Sequence, residues 1–204
     1  MAAMLADAPI VLASGSATRA AMLRAAGLEV VVDPASVDED EVKLSLKAAG
    51  ARAEDVAEAL AELKAQRISA RRPGLLVVGA DQMLECEGVW FDKPTGRDAA
   101  KAQLKTLAGR THRLVSCAVV CLDGARIWHR TDTARLTMRP LSDAFLDRYL
   151  EAAGDAVCTS VGAYQAEGLG AQLFARIDGA HATILGMPLL PLLDFLRTRG
   201  VLPS

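Results

Sequence analysis

The sequence predicts a mixed α/β fold: a twisted mixed sheet with flanking helices. Two observations predict it. Short apolar runs alternate with segments of helical period along the whole chain, the order that lays helices against a sheet. Glycine, proline and acidic-Gly pairs punctuate most of the changes in period, where the backbone needs turn residues.

Taken in order, PIVLAS (9–14) is a first strand closed by Ser-Gly-Ser, and residues 16–28 follow with helical spacing and a stop at Gly27. EVVVDPAS (29–36) is a second strand ended by Asp-Pro. Residues 52–70 form the longest helix, with Val56, Leu60, Leu63 and Ile68 on its apolar face. LLVVGA (75–80) is an apolar run of the kind buried between layers. MLECEGVWFDKP then reads as a hairpin turning at Glu87-Gly88, and 97–109 as a helix with a glycine stop. Two long strands meet at Asp123-Gly124, a Ser-capped helix occupies 142–154, and 191–200 forms a last short helix. The glycine-rich stretch 158–188 is expected to carry loops lining a site.

A chain of 204 residues supports one sizeable core or two small lobes sharing one. No repeat or linker divides it, so 1–204 is expected to be a single domain. With 51% hydrophobic and 24% charged residues it lies outside the disordered class. A net charge of −2 lacks the cationic surplus by which a protein coats nucleic acid, and 4% aromatics leave few stacking platforms. No run reaches the ~18 apolar residues of a membrane span. The N-terminus has no basic region, and Asp7 and Pro9 split its apolar part, so it reads as the lead-in to a strand of a cytoplasmic protein. The four cysteines, Cys86, Cys117, Cys121 and Cys158, have no metal-ligand spacing and read as core thiols.

Five places carry residues suited to chemistry. Ser14-Gly15-Ser16-Ala17-Thr18-Arg19 lies where a strand turns into a helix. Backbone N–H groups at such a turn bind anions, Gly15 lets a phosphate approach, and Arg19 adds a fixed charge; the alternative is a plain Ser cap with a solvated Arg. Asp81 in GADQ stands at the carboxyl end of an apolar strand, where a carboxylate either binds metal, acts as a base or merely begins a turn. Lys93, fixed by Pro94, reads as a phosphate contact or a surface lysine. In the run Asp38-Glu39-Asp40-Glu41 either a helix start or one Mg²⁺ ligand is present, and spacing does not choose which carboxylate. Lys64 follows Leu63 on the apolar side of the long helix, where it either meets a phosphate or snorkels.

Together these motifs resemble the Maf family. LASGSATRAAMLRAAGL is similar to its opening signature, and the resemblance continues through Val37-Asp38-Glu39, LAELKAQ around Lys64, GADQ around Asp81, and Asp92 to His112. It reaches the C-terminus through VGAYQAEGLGAQLFARIDG and ILGMPLLPLLDFL, which makes seven ordered blocks over essentially the whole chain. The resemblance implies a fold like that of inosine triphosphate pyrophosphatases, bilobed around a nucleotide cleft. It implies hydrolysis of a nucleoside triphosphate to the monophosphate and pyrophosphate with Mg²⁺ or Mn²⁺. Carried over by position, Asp81 would be the proton acceptor and a metal neighbour, and Glu39 the second acidic position. Ser14, Gly15, Ser16, Arg19, Lys64 and Lys93 would line the triphosphate.

Departures from the family pattern bear on the base. Pro-Arg-Arg is here Ala17-Thr18-Arg19, and the subgroup acting on dTTP and UTP has Thr where Gln82 stands and Gln where Glu167 stands. Gln82 and Glu167 resemble the subgroup acting on 7-methyl-GTP, whereas Thr18 does not. A carboxylate at 167 can accept from the guanine N1–H and exocyclic amine; the alternative is a structural pair without base contact. A different class of function, a nucleotide-binding regulator of septum formation without turnover, needs no general base, so Asp81, Glu39 and Lys93 together favour the enzyme. The apolar C-terminal helix serves equally as a homodimer surface or as a core helix.

Overall fold

In a computed structural model that describes residues 5–203, seven strands make one sheet: β1 (Ile10–Leu12), β2 (Val30–Val32), β3 (Val77–Cys86), β4 (Val89–Phe91), β5 (Thr111–Leu122), β6 (Ala125–Met138) and β7 (Phe174–Asp178). Seven helices accompany them: α1 (Ala17–Ala25), α2 (Glu39–Ala48), α3 (Ala53–Ser69), α4 (Arg97–Leu107), α5 (Asp143–Ala153), α6 (His181–Ile184) and α7 (Leu189–Thr198). The strand order is β2-β1-β3-β5-β6-β7, with β4 on β3. β1 runs parallel to β2 and β3, whereas β4 is antiparallel to β3 and β7 to β6. The predicted mixed α/β sheet with flanking helices is therefore present. The first four residues of the predicted lead-in lie outside the described residues.

The chain divides into two compact units. The first takes the residues up to Gln82, Val115–Asp132 and those from His181 on. Its core lies on both faces of β1, as strand alternation requires. Ile10 and Leu12 pack with Leu23 of α1, Val78 of β3, Val120 of β5 and Leu192 and Leu196 of α7. Val11 and Ala13 face the other way, onto Ile68 of α3 and Val77. The buried stripe of α3 runs Val56, Ala57, Leu60, Ala61, Lys64, Ala65, Ile68. This corrects the sequence reading, since Leu63 is 40% exposed and Lys64 holds the core position instead; at 100° per residue only one of two neighbours can face the sheet. Lys64 does not snorkel.

The second unit holds Met83–Leu114 and Thr133–Ala180. Here the hairpin β3–β4 turns at Glu87 (φ 53°) and Gly88 (φ 81°), the paired positive φ angles of a type I′ turn. Asp123 and Gly124 repeat that geometry between β5 and β6 in the first unit. The glycine-rich stretch of the second unit folds into short 3₁₀ turns (154–158, 161–163, 169–173) before β7. Tyr164 packs edge-on against Phe174 at 4.9 Å and meets His112 Nε2 through its hydroxyl at 2.7 Å. Burial lowers the His112 pKa to about 4 and lifts that of Tyr164 well above its ordinary value. All four cysteines are free thiols, and Cys86, Cys117 and Cys121 are buried, as core thiols should be.

Candidate active site

β3 sets the geometry of the site. It does not stop at Ala80, as the apolar run suggested, but continues to Cys86 because Met83, Leu84 and Cys86 are again buried. Asp81 therefore stands inside a strand and not at its carboxyl end. Pairing with the parallel neighbour β1 ends at Leu12↔Val78, with a last bond from Ala13 N to the Val78 carbonyl. Asp81 thus sits just past the point where a parallel strand stops, the place where α/β sheets open to ligands.

Alternation sends Val77, Gly79 and Asp81 to the α3 face and Val78, Ala80 and Gln82 to the opposite face. The approach of α3 is very close: a Cβ on Gly79 would lie 2.1 Å from the Ala61 carbonyl oxygen and 2.9 Å from the Ala65 Cβ. That contact carries Lys64 to the strand. Its ammonium lies 2.7 Å from Asp81 Oδ1 and 2.7 Å from Glu39 Oε1. Lys64 and Asp81 are both buried, whereas the Glu39 side chain is 42% exposed. Glu39 opens α2, whose cap Asp38 accepts from Glu41 N at 3.0 Å. The acidic run is both a capped helix start and the source of one site carboxylate.

Where β1 ends, Ser14 Oγ accepts from Ser16 N and from the Arg19 guanidinium at 3.2 Å, and Ser16 caps α1 by accepting from Arg19 N. Arg19 also donates to the Ala80 carbonyl at 3.0 Å and, through Nε, to the Gly186 carbonyl at 2.9 Å. Gly15 is exposed, and a Cβ there would meet only Pro34 at 3.8 Å. The fold does not demand a glycine at 15. Thr18 is exposed in the first turn of α1.

Two cations, Lys64 and Arg19, thus face two carboxylates, Asp81 and Glu39. Burial pushes the Asp81 carboxyl above its ordinary range, with Lys64 and then Arg19 opposing the rise and Glu39 adding to it. Burial likewise draws Arg19 below its usual value against the pull of Asp81 and Glu39. A carboxylate shifted upward by burial beside fixed cations suits a proton acceptor working near neutrality.

Gln82 turns away from this cluster. Its amide nitrogen donates to Ser116 Oγ at 2.9 Å and to the carbonyls of Thr183 and Ile184 at 3.0 and 3.1 Å. The sequence singles out none of Ser116, Thr183 and Gly186; the signals were a lone serine in the apolar run SCAVVCL and the glycine-rich stretch 158–188 that holds the other two. The structure gathers Ser14, Ser16, Arg19, Glu39, Lys64, Asp81 and Gln82 within the first unit. Lys93 and Glu167 are exposed residues of the second, Lys93 after β4 and Glu167 in a turn between the 3₁₀ segments.

Among the described residues no group of three or more His, Cys, Asp or Glu gathers as a metal cage. The pair Glu39 and Asp81 nevertheless fits Mg²⁺, which prefers hard oxygens and takes one or two carboxylates with substrate phosphates and water.

A family model described as Maf-like protein matches residues 9–199. A nucleoside triphosphate pyrophosphatase of Paramagnetospirillum magneticum is 59% identical over 191 residues, 94% of this chain and 98% of that protein. Proteins of the same name from Granulibacter bethesdensis and Caulobacter vibrioides are 51% and 48% identical, each over 95% of this chain and 98% and 97% of theirs.

Proposed function

Because the chain belongs to the Maf-like protein family, we propose that it hydrolyses nucleoside triphosphates to nucleoside monophosphate and pyrophosphate, with Mg²⁺ or Mn²⁺, as one cytoplasmic domain. Relatives with that activity in their names, similar over nearly their whole length, support the reaction class. The observation that carries the residue assignment is the Lys64 ammonium at 2.7 Å from both Asp81 and Glu39, beside the Ser14–Arg19 turn.

Water attacks the α-phosphorus, the bond from phosphorus to the α–β bridging oxygen breaks, and pyrophosphate departs. Asp81 orients the water and takes its proton; its raised pKa brings it nearer the operating pH and makes that acceptance more favourable. Glu39 and Asp81 would hold the divalent cation, which when bound supplies charge neutralisation at the phosphoryl oxygens. Lys64 and Arg19 counter the negative charge that grows on the phosphoryl group and on the departing pyrophosphate. Ser14, Gly15 and Ser16, at the head of α1, offer hydroxyl and N–H donors to phosphate oxygens. Lys93 adds a further cation to the triphosphate.

For the base we propose a guanine type, N7-methylated guanine included. Glu167 accepts from N1–H and the exocyclic amine, and its charge also favours the cationic methylated ring. Thr18 and Gln82 complete the specificity positions.

The test offers purified protein with Mg²⁺ or Mn²⁺ a panel of ordinary and N7-methylated triphosphates, with pyrophosphate and orthophosphate measured separately. Pyrophosphate release is expected, with a ranking that Glu167→Gln shifts away from guanine. Orthophosphate alone, or no turnover of any triphosphate, overturns the reaction; an unchanged ranking in Glu167→Gln removes Glu167 from base selection.

A further inference from the structure

The segment 181–186 is held in a way its own secondary structure does not provide. α6 is a single turn of four residues, too short to satisfy its terminal carbonyls by continuing. Gly186 N meets the Thr183 carbonyl at 3.1 Å from within the segment, and side chains from the sheet add further donors. The Thr183 carbonyl accepts from Gln82 Nε2 at 3.0 Å and from Ser116 Oγ at 2.8 Å, and the Ile184 carbonyl accepts from Gln82 at 3.1 Å. Thr183 Oγ1 in turn donates to Asp132 Oδ2 at 2.6 Å. Ser116 and Thr183 are completely buried, so each of these bonds is costly to leave unmade.

The end of this segment touches the site. Gly186 has φ +108°, a conformation L side chains rarely adopt, and its carbonyl takes the Arg19 Nε–H at 2.9 Å. A Cβ on Gly186 would lie 3.2 Å from Arg19 Nε and 3.3 Å from its NH2 nitrogen, where a methyl would crowd the guanidinium. Gly186 therefore grips one edge of Arg19 and leaves room for its plane. Ser14 and Ala80 take its NH1 group.

We propose that Gln82, Ser116 and Thr183 form a polar latch that fixes 181–186 and, through the Gly186 carbonyl, aims Arg19 at the substrate triphosphate. Ser116, Thr183 and Gly186 are then positioning residues for the reaction, and Gln82 acts on selectivity through the backbone of α6 instead of by touching the base. The inference rests on the reading above that Arg19 faces phosphate. The physical basis is pre-organisation: a guanidinium held by three acceptors loses little freedom when it meets an anion, and a shift of about 1 Å in such a group can cost up to about 10²-fold in rate.

Two measurements test it. The first needs no substrate: the Arg19 Nε–H resonance, assigned by its loss in Arg19→Lys, is followed by hydrogen exchange. Ser116→Ala is expected to speed that exchange at least tenfold, and Ser116→Thr, which keeps the hydroxyl, to restore it. Unchanged exchange in Ser116→Ala overturns the latch. The second is kinetic, with a nucleoside triphosphate and Mg²⁺. Ser116→Ala and Gly186→Ala are each expected to lower kcat/KM about tenfold in the wild-type background and less than twofold in Arg19→Lys. Equal losses in both backgrounds assign these residues to general stability and overturn the coupling to Arg19. If the unaltered protein turns over no triphosphate, the proposed reaction fails, and the exchange measurement still decides the latch.

Discussion

Replacing Gly79 with alanine probes the contact on which the site is built. The objection to a side chain there is space and not backbone conformation, since Gly79 does not have a positive φ. The added Cβ would lie 2.1 Å from the Ala61 carbonyl oxygen, against 3.4 Å for an ordinary contact, so α3 must retreat by 1.3 Å. The obstacle is helix backbone, which cannot swing aside as a side chain would. If the helix carries Lys64 with it, the 2.7 Å bond to Asp81 opens to 4.0 Å by the same 1.3 Å. Overpacking of this kind costs about 1–3 kcal/mol, and contact with backbone puts Gly79→Ala near the upper end, at about 3 kcal/mol. The smaller conformational freedom of alanine in the unfolded chain returns only about 0.5 kcal/mol. For a domain of this size the melting temperature should fall by about 6–12 °C, read by circular dichroism. Turnover should fall further than the folded fraction explains, because Asp81 loses its counter-charge. A variant that melts within 2 °C of the parent, by about one kcal/mol at most, and turns over at the parent rate would refute the idea that close approach of α3 assembles the site.

Asp81→Asn removes the proposed proton acceptor and should cost at least about 10² in kcat while nucleotide binding, measured by calorimetry, persists. The same change alters the pH dependence of stability. Because the native pKa of Asp81 is raised, the folded chain keeps a proton that the unfolded chain releases, so Asp81's contribution falls as pH rises from the ordinary carboxylate pKa through the native one. Denaturation midpoints across that window should show the slope in the parent and not in Asp81→Asn. Lys64→Met withdraws the strongest opposing charge, so the Asp81 pKa should rise further and the stability loss should grow with pH; a loss that shrinks with pH contradicts the assignment. His112 has the opposite sign. With its pKa lowered to about 4, it stays neutral in the fold, and stability should rise by about 3 kcal/mol between pH 4 and 6.5, a rise that His112→Gln flattens in urea titrations.

How much of this was legible depended on whether the signal was local. Glu87-Gly88 and Asp123-Gly124 mark hairpins because their positive φ angles are written in residue type. Ser142 and Gly154 bound α5 for the same reason. β7 and the 3₁₀ turns before it escaped notice, since glycine interrupts any period long enough to read. The run at 75–80 announced a strand but not its length, because the charged Asp81 breaks the apolar pattern while the backbone continues. Leu63, read as the apolar neighbour of Lys64, is the exposed one, and a lysine at a core position looks misplaced until its two carboxylates are seen. Those carboxylates arrive from Glu39 and Asp81, and no local pattern announces that they meet. The contacts of Ser116, Thr183 and Gly186 were invisible for the same reason, being made largely with backbone acceptors supplied by distant segments.

The bond between Arg19 and Gly186 joins residues 167 positions apart, and this has a consequence for how the protein comes into being. Closing a loop of that length costs about 4.5 kcal/mol of chain entropy beyond a constant. The first unit is interrupted twice, at Met83–Leu114 and Thr133–Ala180, so its strands and helices leave the ribosome long before the segment that completes it. A nascent chain can carry Ser14, Lys64 and Asp81 and still hold Arg19 unfixed. Completion of the cluster therefore falls at the end of synthesis, and a chain cut short before 186 lacks the carbonyl that clasps Arg19 Nε.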